Sequence, residues 1–279
     1  MAGTEVKFAN RLGSNEPTVR NRAIKALRKW ISARSASSQK LSELELLKLW
    51  KGLFVCMWHS DKPLVQEELA GSIASLVHNF NPPDAGVEYI KVFFLTIARE
   101  WHNIDRLRLD KFYMLIRRVV SSSFRILKDN SWEEGGLVQM MVSLYQEGPL
   151  NPTLENTCVG VQLHVTEVYL TELGQLLDDD FPVTGLMDLL EPFFLLYSRT
   201  KNSTIAETVE KNVFSVLMGE KQSDVFKIDK ENLKQTLVQW AANRDTSGKA
   251  RKCFYALKKR LEDQDCGENV QVKRRRLQH

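Results

Sequence analysis

Two stretches 43 residues apart set a histidine behind a tryptophan and an aspartate soon after: "WHSDKPLVQEEL" from Trp58 and "WHNIDRLRLDKF" from Trp101. Imidazole and carboxylate at close quarters are the groups of general acid and base chemistry. The pattern fits a structural role better, with Trp-His ending one helix and Asp61 or Asp105 capping the free amides of the next. Other catalytic patterns fail at identifiable positions. "NRDTSGKA" from Asn243 holds Gly248-Lys249, but a phosphate-cradling loop needs Gly at Asn243 and Ser or Thr at Ala250. GxSxG, HExxH and GxGxxG are absent. Asp178-Asp179-Asp180 stands before Phe181-Pro182, where carboxylates cap a following helix. Cys56, Cys158, Cys253 and Cys266 lack CxxC or Cys/His ligand spacing and read as reduced thiols of a cytosolic or nuclear chain. The reading is a chain that is not an enzyme, with no cofactor, metal or small-molecule substrate.

The remaining chemistry is cationic. "REWHNIDRLRLDKFYMLIRRVV" (99–120) places five Arg or Lys after Trp101-His102. Projected at 100° per residue from Ile104, Arg106, Lys111, Arg117 and Arg118 fall opposite the apolar arc, beside Asp110. That mixed row is either a solvated face or a secondary basic surface. Asp105 and Arg108 project over the apolar half instead and suit an i, i+3 bridge to the preceding repeat. Between Thr18 and Ser42 stand seven basic residues and no acid. Arg22, Lys25, Arg28 and Lys29 occupy about 120° of that helix opposite Val19, Ala23, Ile24, Leu27, Trp30 and Ile31. A solubility face mixes signs, so this stripe points to RNA phosphate or an acidic partner, with affinity but no base specificity. A third group, Lys258-Lys259-Arg260 and Lys273-Arg274-Arg275-Arg276, has the spacing of a bipartite nuclear-import signal read by a carrier. A nonspecific RNA-binding tail remains the alternative.

The elements that must carry these rows are helices. Residues 1–34 hold eight Lys/Arg against two Glu and residues 244–279 hold eleven against five, so both ends are +6 while the middle is −8. Fourteen Gly and eight Pro in 279 residues are few, and apolar residues recur with helical spacing almost throughout, which makes the class all-α. No apolar run approaches the ~18 residues of a membrane span, so no membrane partner is expected. The first residues, "MAGTEVKFANRLG", lack a secretory h-region. Asn15-Glu16-Pro17 opens the first expected helix, Ser42-Glu43-Leu44-Glu45 forms a capping box, and Asp61-Lys62-Pro63 and Asn81-Pro82-Pro83-Asp84 mark the next starts. Later starts fall near 104, 132, 153, 182, 203, 230 and 247, and Pro192 should kink or split the helix it interrupts. About eleven helices result, with every second start 41 to 50 residues apart, the period of a HEAT/armadillo-like α-solenoid. The expected division is a helical-repeat domain (1–245), a C-terminal basic helix (246–264) and a flexible basic tail (265–279). Trp30, Trp50, Trp58, Trp101, Trp132 and Trp240 lie near apolar seams and are expected in the core.

"FANRLGSNEPTVRNRAIKALRKW" (8–30), "LWKGLFVCMWHSDKPLVQEELA" (49–70), "FFLTIAREWHNIDRLRLDKFYMLIRRVV" (93–120) and "GPLNPTLENTCVGVQLHVTEVYLTEL" (148–173) resemble, in order, the signatures of the ribosomal RNA processing protein 1 family. The resemblance covers roughly residues 5 to 220. It implies a helical-repeat scaffold of the nucleolus, within pre-60S particles, needed to process precursor rRNA toward the large-subunit rRNAs. The implied partners are other assembly factors and precursor rRNA, and no nuclease activity is implied. Many members carry a long charged C-terminal extension that this sequence does not show. The reading from another class is a HEAT-like adaptor in transport or signalling that binds protein alone.

Overall fold

In a computed structural model the backbone is described for residues 4–276, apart from 38–39, 133–135, 154–157, 179, 183–184 and 221–224, and side chains to residue 265. The described residues form helices α1 (Thr4–Leu12), α2 (Pro17–Ala36), α3 (Glu43–Trp58), α4 (Pro63–Ala74), α5 (Pro83–Glu100), α6 (Leu109–Asp129), α7 (Leu137–Glu147), α8 (Val159–Gly174) and α9 (Gly185–Arg199). Then come α10 (Ser203–Val209), a π turn (Glu210–Phe214) and α11 (Ser215–Leu217), which run on as one rod, followed by α12 (Lys230–Ala242) and α13 (Gly248–Arg276). No strand occurs among the described residues. The all-α expectation holds.

The packing alternates. Odd helices contact odd ones, α1 on α3, α3 on α5, α5 on α7 and α7 on α9, while α4 packs on α6, α6 on α8 and α8 on α10. Two layers of stacked helices follow, with even-layer starts at 17, 63, 109, 159 and 203, so the repeat is 44 to 50 residues. Each unit buries its apolar stripe only against its neighbours, as in solenoids. At the far end α12 and α13 pack on each other and on α9.

Local signals explain most starts. Pro17, Pro63 and Pro83 each begin a helix, where a missing N–H is no loss. Ser42 accepts from the Glu45 N–H and Glu45 accepts from the Ser42 N–H at 2.9 Å, completing the capping box of α3. Aromatic rings join helices within and between the layers: Trp50 of α3 donates from Nε1 to Tyr89 O of α5 at 2.8 Å and lies 4.8 Å from Phe93, and Tyr145 of α7 meets Tyr169 of α8 at 5.1 Å. Trp50 and Trp132 are buried as expected, whereas Trp30, Trp58 and Trp240 are only partly covered.

Several boundaries differ from expectation. α1 precedes the helix expected to be first. It is short and polar, but it buries Phe8 and Leu12, and Gly52 lets α3 approach so closely that an added Cβ would stand 2.6 Å from Ala9 Cα. The helix expected near 104 begins at Leu109, because Trp101–Asn103 forms a 3-10 turn and Asp105 folds its own turn, accepting from the Leu107 N–H at 3.0 Å. Neither Asp61 nor Asp105 caps a helix: α4 and α6 start without a side-chain cap. Asp178 pairs with Lys128 at 2.7 Å, and Asp179 and the residues just before α9 lie outside the described residues. Pro192 lies inside α9 without splitting it, since one proline removes a single hydrogen bond from a helix packed on both α7 and α12. α13 runs past the boundary expected at 264/265, and Glu133-Glu134 lie outside the described residues.

Candidate nucleic-acid interface

Helix α2 is the first member of the even layer, so that layer gives it a neighbour on one side only, the end of α4 and the 3-10 turn Ser75–Asn79. Ala23, Ile24, Leu27 and Ile31 turn inward, and Arg22, Lys25, Arg28 and Lys29 all stand exposed on the opposite face. The four predicted residues share one surface. Arg28 donates to Ser75 Oγ at 3.0 Å, a neutral partner, and Arg22, Lys25 and Lys29 have no ion pair or hydrogen bond among the described residues. Charge of one sign, unpaired and at the end of a stack, is the arrangement that attracts a polyanion and releases its counterions.

The second predicted row dissolves into separate roles. Lys111 is not on the surface: only 4% exposed, it donates from Nζ to Trp58 O and Ser60 O, both at 2.7 Å. The ammonium closes the carbonyl end of α3, where the helix dipole favours a cation. Burial holds its pKa below the usual lysine range. On the wheel Lys111 stands at the border of the apolar arc, about 40° from Leu115, and the open carbonyls of Trp58 and Ser60 draw it inward. Arg117 pairs with Glu172 on α8 at 2.5 Å and Arg118 with Glu67 on α4 at 2.8 Å. Arg106 alone of the four is exposed with no ion pair or hydrogen bond among the described residues, in the turn before α6. Arg108 does reach the preceding repeat as expected, lying 4.6 Å over the Trp58 ring while it pairs with Asp105, whose carboxyl it holds below the usual range.

Two residues that sequence reasoning passed over complete this picture. Arg20, counted with the α2 row, is buried and donates to Ser14 O and Asn15 O at 2.9 Å and to His59 O at 3.2 Å. Its position between Leu27 and Ile24 on the helical projection is the signal that separates it from the stripe. Glu172 is likewise an acid set among Val165, Val168 and Tyr169 on one face of α8, which marks it for burial with a partner.

In the third basic group, Lys258 pairs with Glu262 at 2.8 Å and Arg260 with Glu220, while Lys259 is exposed. Lys273, Arg274, Arg275 and Arg276 continue α13 in backbone, and their side chains lie outside the described residues.

Residues 3–277 match the family described as "Nucleolar protein, Nop52". The chain is 42% identical over 221 residues to ribosomal RNA processing protein 1 homolog B of Mus musculus, covering 79% of this chain and 30% of that protein. It is 39% identical to the homolog A of Homo sapiens, covering 77% of this chain and 46% of the relative, and 28% identical to the Dictyostelium discoideum homolog over 91% of this chain and 57% of the relative. The chain therefore spans less than half the length of these mammalian relatives. It belongs to the Nop52 family of nucleolar proteins.

Proposed function

We propose that the chain is a non-catalytic scaffold of large-subunit ribosome assembly, bound in pre-60S particles and needed for processing precursor rRNA. The observation that carries the RNA side of this reading is the α2 stripe: four exposed cations with no acidic partner among the described residues, in a relative of proteins named for ribosomal RNA processing. Arg22, Lys25, Arg28 and Lys29 hold phosphate, which fixes position without reading bases. The even-layer surface beyond it, where Arg117 and Arg118 are neutralised, serves the stack itself. Arg106 adds a peripheral cation. Entry to the nucleus uses Lys258, Lys259, Arg260 and Lys273 to Arg276, read by an import carrier once the helix α13 opens locally. Assembly factors supply the protein partners.

Purification of the tagged chain from cells, with and without RNase, tests the reading. RNA sequencing and mass spectrometry should recover precursor rRNA of the large subunit with nucleolar assembly factors. Reversing the four α2 charges should weaken that recovery with helical content and melting unchanged. A reproducible set of cytoplasmic proteins without rRNA would replace this reading by the protein-binding adaptor.

A further inference from the structure

The groove between α9 and α12 has a composition that the α2 stripe does not explain. It encloses about 410 Å³ at the opposite end of the stack, and no Lys or Arg lines it. On the α12 side Asn232, Thr236, Gln239 and Asn243 recur at steps of four, three and four residues, so they form one uncharged polar row. On the α9 side Asp188 and Glu191 sit one turn apart, and Glu191 has no ion pair or hydrogen bond among the described residues. Between them Trp240, partly exposed, lies against Phe194 with ring centroids 6.2 Å apart.

We propose that this groove binds an extended, lysine- or arginine-bearing segment of a partner protein. The Gln239 amide offers a donor and an acceptor, and the Asn232 and Asn243 amides, whose oxygens accept from Thr236 Oγ1 and the Asp245 N–H, add N–H donors for the C=O groups of an extended backbone. The row from Asn232 to Asn243 is about 16 Å long at ~1.5 Å per helical residue, the length of roughly five extended residues. The indole of Trp240 gives the methylene stem of a lysine or arginine an apolar wall and its charge a ring face. Glu191 then meets the cation. With no competing cation on the walls, the groove keeps a negative potential for an incoming basic segment.

The probe is a fluorescent five-residue peptide, acetyl-Ala-Lys-Arg-Lys-Ala-amide, followed by anisotropy with the full chain at about 0.1 M salt. Saturable binding below about 1 mM is expected. Glu191→Lys should weaken it by at least about tenfold and Gln239→Ala by a few-fold, because the first removes the cation's partner and the second only an amide contact. The α2 charge reversal serves as the control and should not weaken it. Both variants change solvent-facing side chains, and an unchanged melting curve confirms the fold. Absence of binding, or equal binding by the wild-type chain and Glu191→Lys, would overturn the proposal. Because the α2 variant reports on RNA and the Glu191 variant on peptide, the two proposals fail separately.

Discussion

Helices α2 and α6 each carry a row of cations, yet the rows meet different surroundings. On α6, Lys111 is sunk onto two carbonyls at the end of α3, Arg117 is tied to a buried glutamate, and Arg118 bridges to α4. On α2, three cations of the stripe have no ion pair or hydrogen bond among the described residues and the fourth meets a hydroxyl. Position in the stack separates them. α6 lies between α4 and α8 and its charges serve those contacts, whereas α2 has an even-layer neighbour on one side only. A count of Arg and Lys cannot distinguish the two; a count of their partners does.

The contrast can be broken most forcefully at α2. Four phosphate contacts on single-stranded RNA give a log–log salt slope near about −2.8, so their reversal should remove a roughly several-hundred-fold affinity difference between 1 M and 0.1 M salt. Filter binding to an rRNA fragment across that range reads it, and a slope equal to the wild type's would end the assignment. Next in size is Lys111→Met, which keeps the stem but strands two carbonyls. It should cost about 2–4 kcal/mol in urea unfolding and leave the RNA salt slope alone.

Arg117 and Arg118 are adjacent in sequence and sharpen the comparison within one helix. Arg117→Ala leaves Glu172, whose side chain is 3% exposed, without its cation, and about 1–3 kcal/mol of stability should go. Arg118→Ala breaks a pair whose members are both about half exposed, and the loss should stay within about 0.5 kcal/mol. Equal losses would mean that burial of the acid does not set the strength of the pair.

The smallest effect concerns pH. His164 on α8 donates from Nε2 to Tyr113 O on α6 at 2.9 Å, and burial lowers its pKa below the usual value near 6.5. Below about pH 6.5 the unfolded chain takes up a proton that the folded chain does not. Stability from this group is therefore full above that pH and declines as pH falls toward the depressed folded value. His164→Gln should shrink the difference between urea midpoints measured at pH 7.5 and 5.5, and the α2 variant should not.

Much of this was legible in the sequence because short-range chemistry governs it. The prolines at 17, 63 and 83 and the box at Ser42 mark starts whatever the tertiary structure, and the Trp-His echo marks the ends of α3 and α5. The α2 stripe was legible for the same reason: a regular helix converts spacing directly into a face. What escaped depends on neighbours distant in the chain. The burial of Lys111 is set by carbonyls 51 and 53 residues earlier, and Arg117 finds its acid 55 residues later. Helix α1 escaped because only the facing Gly52 makes a home for it. The α12 row was visible in principle, but its partner α9 is required to make it the wall of a groove.

The π turn at Glu210–Phe214 has a consequence for insertion and deletion. A π turn accommodates one residue more than an α-helix would over the same length. Removing one residue there should restore an ordinary α-helix while keeping the register of Ser203–Val209 before it and Ser215–Leu217 after it. Removing one residue anywhere else in the rod would rotate its downstream face by about 100° and turn Leu217 from the core toward water. Among single deletions within Ser203–Leu217, those inside Glu210–Phe214 should thus be the tolerated ones.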